Sequence, residues 1–81
     1  MGRFYFHLRE GDELIPDEEG QDLLDVSEAL REAQLAARDL VAEAIKSGRE
    51  QVPDAFMIAD ESGQPIETVP LAMVLPKALK P

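Results

Sequence analysis

About 22 residues from Val26 to Ser47 carry apolar side chains at helical spacing, and a rod of that length constrains everything else in an 81-residue chain. Val26, Ala29, Leu30, Ala33, Ala37, Leu40, Val41 and Ala44 recur at intervals that place them on one stripe. Asp25 stands where an N-cap is needed, and Glu28 follows three residues later, the spacing of a capping box. Lys46 falls in the last turn, where a cation complements the helix dipole, and Gly48 occupies the position that ends a helix in a left-handed residue. Glu28 with Arg31 and Glu43 with Lys46 add pairs worth only about 0.2–0.5 kcal/mol each. The predicted rod is roughly 33 Å long. Its alanine-rich stripe lets the backbone lie close to whatever covers it.

The flanking segments read as that cover. Residues 3–8 alternate Phe4, Phe6 and Leu8 with Arg3, Tyr5 and His7, the period of a strand with two unlike faces. A turn at Gly11 leads to a short strand over 13–15, which Pro16 must end or hold at an edge. A second turn through Gly20 leads to an extended piece over 21–24. Beyond the helix, 55–60 is an apolar strand, and Glu61-Ser62-Gly63 is a hairpin loop returning into a strand over 65–69. That loop sets Asp60 opposite Gln64 and Ile58 opposite Ile66. The tail, 71–81, is apolar, and Pro76 limits any helix there to a turn. The expected fold is α+β, a strand-strand-long helix-strand-strand order with one helix on one face of a small, mainly antiparallel sheet.

Length and composition narrow the function. A single domain of this size has a small core and often needs a second subunit, a disulfide or a metal. The chain has no cysteine and one histidine, which leaves oligomerisation as the available support. Its formal net charge of −9 opposes binding to nucleic acid and to anionic membranes and favours a basic partner. No apolar run reaches the roughly 20 residues of a membrane span. Met1-Gly2-Arg3-Phe4-Tyr5 shows no separate apolar signal region, so cytoplasmic residence is the expectation.

Several segments carry a resemblance. They are Arg3-Phe4-Tyr5-Phe6-His7-Leu8, the Gly11-Asp12 turn, Pro16-Asp17-Glu18-Glu19-Gly20, the alanine-rich helix ending near Gly48, and Asp60-Glu61-Ser62-Gly63 with Thr68-Val69-Pro70. Together they resemble a family of small bacterial proteins classed as a domain of unknown function. Leu75-Pro76-Lys77 departs from that pattern by interrupting an expected short terminal helix. The resemblance implies the fold and a bacterial origin, and brings no activity or functional residue with it.

Four kinds of site follow from the residues themselves. Arg3, Tyr5, His7 and Arg9 alternate along the first strand, a ladder of donors and rings at about 6.6 Å spacing suited to an acidic peptide, a phosphate or a single strand. The ordinary alternative is a solvent face whose arginines pair with nearby carboxylates. The stretch from Glu10 to Asp25 holds eight carboxylates and no basic residue, but it lacks the ligand spacing of a calcium loop and reads more simply as a charged, aggregation-resistant edge. His7 is of the residue type most used for proton transfer, yet none of Ser27, Ser47 and Ser62 is placed beside it by sequence. Leu35 lies opposite the core stripe in line with Ala42, and with Met57, Val69 and Leu71 it is the candidate oligomer contact. The leading expectation is a non-enzymatic protein-binding or regulatory module, homo-oligomeric and without cofactor. An antitoxin-like protein neutralising a basic partner is the alternative, by fold analogy alone, and a small-molecule enzyme ranks last.

Overall fold

A computed structural model describes residues 2–81; Met1 of the opening segment lies outside the described residues. The chain forms β1 (Gly2–Glu10), β2 (Glu13–Ile15), β3 (Gln21–Leu23), α1 (Val26–Ser47), β4 (Ala55–Ala59) and β5 (Pro65–Pro70). Two 3-10 turns, Leu71–Val74 and Lys77–Leu79, follow on either side of Pro76. The fold is α+β, with α1 packed on one face of a five-stranded antiparallel sheet.

Local chemistry sets the ends of α1. Asp25 accepts a hydrogen bond from the Glu28 N–H at 2.9 Å, and Glu28 Oε1 accepts from the Leu24 N–H at 2.9 Å. The reciprocal bond of the capping box therefore reaches one residue further back than the usual motif. Drawn to the helix start, Glu28 forms no ion pair with Arg31; among the described residues the ion pair within 4 Å is Arg3 with Asp22. At the other end Gly48 is left-handed (φ 74°), and the Arg49 N–H closes onto the Ala44 carbonyl at 2.9 Å.

β1 organises the sheet. One edge pairs with β4, which pairs with β5. The other edge is shared: β2 pairs along Leu8–Glu10 and β3 along Gly2–Phe4. Phe4, Phe6, Phe56, Ile58 and Val69 point from the strands toward Ala29, Ala33 and Ala37 of α1, and Leu71 closes the cluster from the first 3-10 turn. Val26, expected on the core stripe, is exposed because it sits at the mouth of the helix, beyond the sheet's cover.

The register of the second hairpin differs from the expected one. Asp60 does bond to Gln64 across the loop, but Ile58 lies opposite Glu67 and Ala59 opposite Pro65. Ile66 is the extra residue of a bulge between them. This offset lets Ile66 and Val69, three apart, both reach the core.

Candidate functional site

Two surfaces compete for function, one on each side of the helix-and-sheet sandwich. The first is the open face of the sheet. Tyr5 and His7 stack there with ring centroids 6.3 Å apart and planes 11° from parallel. With Asp17 and the hairpin loop 60–63 they line a shallow depression of about 310 Å³.

Much of this face is occupied by the fold itself. Arg3 Nη1 donates to the Glu19 carbonyl at 2.6 Å, and Arg3 Nε lies 3.6 Å from Asp22, so its guanidinium is committed to the loop and β3. The Asp17 N–H donates to His7 Nδ1 at 3.0 Å, which places the neutral imidazole's proton on Nε2. Arg9 is exposed at the far end of the strand. The ladder of four is thus divided: Tyr5 and His7 share a depression, and Arg3 and Arg9 stand outside it. Of the three serines, Ser62 lines the depression, and its hydroxyl donates to Asp60 at 2.7 Å. That bond, with the Gln64 and Ser62 N–H groups, holds the Asp60 carboxyl below its ordinary range.

Asp17 is the residue that sequence reasoning missed. Its Oδ2 accepts from the Phe6 N–H at 3.1 Å, and its Oδ1 accepts from Glu19 and Gly20 at 3.2 Å each. Partial burial is the largest single influence and opposes ionisation, yet the three N–H donors and nearby His7 outweigh it and hold the carboxyl below its ordinary value. The Asp-x-x-Gly spacing of an Asx turn was the available signal. Among the described residues, no three His, Asp or Glu side chains come together as metal ligands.

Gly20 completes this latch. Its φ is 70°, and a Cβ there would lie 2.9 Å from the Phe4 carbonyl oxygen and 2.9 Å from the Tyr5 ring. Gly20→Ala is expected to cost about 2 kcal/mol, from the left-handed backbone and the clash together. Chemical denaturation measures it, and a loss below about 0.5 kcal/mol would contradict the packing.

The second surface is apolar. Val41, Ala44 and Ile45 of α1 face Val52, Leu71 and Leu75 across a pocket of about 320 Å³. A neighbouring pocket of about 230 Å³ shares Val41, Ile45 and Leu75 and extends to Ala42, Val74 and Leu79. The two form one groove along the second half of α1. Ile45 is 69% exposed and Leu79 63%, large side chains with nothing over them in the chain itself. The signal was partial: Leu35 and Ala42 were aligned in the sequence, and Ile45 continues that line three residues on.

The expected oligomer contact requires correction. Val69 is 1% exposed and Leu71 2%, because Val69 pairs beside Phe56 on the covered face and Leu71 is tucked under α1. Leu35 is exposed on α1, whereas Met57 lies between His7 and Thr68 on the opposite face of the sheet. These two belong to different surfaces and make no common patch. No helix among the described residues is long and apolar enough to cross a membrane.

Comparison with known proteins gives one match. A family model described as a domain of unknown function (DUF6894) matches residues 3–72. No curated protein and no solved structure matches the chain.

Proposed function

The chain belongs to the DUF6894 family, a domain of unknown function, and from that premise we propose that it is a non-enzymatic protein-binding module which docks its partner in the groove along the second half of α1. The observation that carries this reading is the clustering of exposed aliphatic side chains. Single exposed leucines are ordinary, but Ile45, Leu79 and Val52 border continuous apolar pockets. A docked partner would remove that surface from water, each square ångström contributing roughly 25 cal/mol before the costs of association. The open sheet face supports the reading less well, since its most distinctive side chains brace the loop from Asp17 to Gly20.

Capture from a host extract tests the proposal when run with three baits. Wild-type protein and a Tyr5→Ala/His7→Ala variant are expected to retain the same partner, and Ile45→Asp to lose it while keeping its helical circular dichroism. Retention by Ile45→Asp with loss by the double variant would move the function to the sheet face. A basic partner bound by all three would instead favour the carboxylates between Glu10 and Asp25, as in the antitoxin-like alternative.

A further inference from the structure

Taking the groove as the docking surface, we infer that its occupant is an amphipathic helix of a protein partner, apolar on one side and acidic along its borders. The chain as a whole is strongly acidic, yet cations gather at this groove. Arg38 and Arg49 line it directly. Lys77 and Lys80 flank Leu79 in the last turn, and Asp54 is the acidic residue of the lining. The four cations are half of the eight basic residues in the chain.

Helix geometry sharpens the contrast. Arg31, Leu35, Arg38, Ala42 and Ile45 follow one another at intervals of four, three, four and three, the seam along which a second helix packs. Glu28, Glu32, Asp39 and Glu43 fall on a separate stripe, about a quarter-turn around α1. A partner seated against the seam therefore meets apolar surface bordered by arginine. From Arg38 to the end of α1 at Ser47 the groove runs about 14 Å, room for between two and three turns of a partner helix. Charges on the groove's own border weigh most in selecting the occupant, because interactions between exposed charges are screened over about 10 Å. A second copy docked groove to groove would bring Arg38 and Arg49 toward their own equivalents, a like-charge contact.

The test is a titration of isotope-labelled full-length protein, followed by NMR, with two synthetic helical peptides of about 18 residues. Both carry leucine at intervals of three and four; one has glutamate at the bordering positions and the other lysine. The glutamate peptide is expected to shift Val41, Ile45, Leu75 and Leu79, and to bind at least tenfold more tightly than the lysine peptide at low salt. Arg38→Glu/Arg49→Glu is expected to reverse that preference, a result that misfolding could not mimic. Equal or tighter binding of the lysine peptide at the same residues would overturn the charge assignment and leave the groove as a docking surface. Shifts at the groove produced by unlabelled protein at lower concentration than the glutamate peptide requires would assign it to a second copy. Shifts confined to residues elsewhere, with either peptide, would overturn both readings.

Discussion

Ile58→Ala is expected to remove between about a third and all of the protein's stability. Ile58 is 0% exposed at the centre of the sheet, with Phe6 on one neighbouring strand and Glu67 on the other. Above it lie Ala33 and its neighbours on α1, methyl side chains with no length to extend into a vacated space. The helix cannot settle by more than its own packing allows, so the cavity persists, and the cost approaches the upper part of the usual range, about 4 kcal/mol. A domain of this length has only about 4–12 kcal/mol in total. Ile58→Val, which removes one methylene, is expected to cost about 1 kcal/mol. Urea denaturation of the pair measures both, and a loss under about 1.5 kcal/mol for alanine would mean that helix and sheet are not in rigid contact there.

Asp17→Ala is the second large effect, at about 3 kcal/mol. One carboxylate satisfies N–H groups of Phe6, Glu19 and Gly20, and its removal strands a part-buried donor on the central strand while releasing the loop that carries the chain from β2 to β3. The same group makes stability depend on pH. Its folded carboxyl lies below the ordinary value of 3.8, so the contribution is fully present above that value and is lost as pH falls through the folded one. Asp17→Asn keeps an acceptor but not the charge. Its deficit against wild type is expected to shrink as pH falls below about 4. Thermal unfolding on either side of that pH checks the sign; a deficit that grows on acidification would contradict it.

The parts of this fold that were legible in the sequence are those whose causes are local. Asp25, Glu28 and Gly48 bound α1 through bonds spanning a few residues, and the alanine spacing marked its covered side. Gly63 likewise marked the second hairpin loop, where its φ is 86°. What was not legible depends on partners distant in sequence. Nothing near Ile66 announces that it is the bulged residue, since the offset arises from how β5 meets β4. Asp17 helps to hold the loop that places β2 and β3 on one edge of β1, and a run of eight acidic residues gives no local sign of which one turns inward. Leu71 was apolar in either reading; only its contact with α1 decides that it is core. The groove joins Ile45 to Leu75 and Leu79, some thirty residues away, and periodicity within either segment could show only half of it.

The central functional claim is that a partner docks along the second half of α1 and not on the open face of the sheet. Methyl-detected NMR of labelled protein, titrated with whatever partner wild-type bait captures, tests it most directly. The expected result is saturable shifts at Val41, Ile45, Leu75 and Leu79 with Thr68 and Met57 unmoved. Shifts concentrated at Met57 and Thr68, with the Ile45 methyls unchanged at saturation, would contradict it.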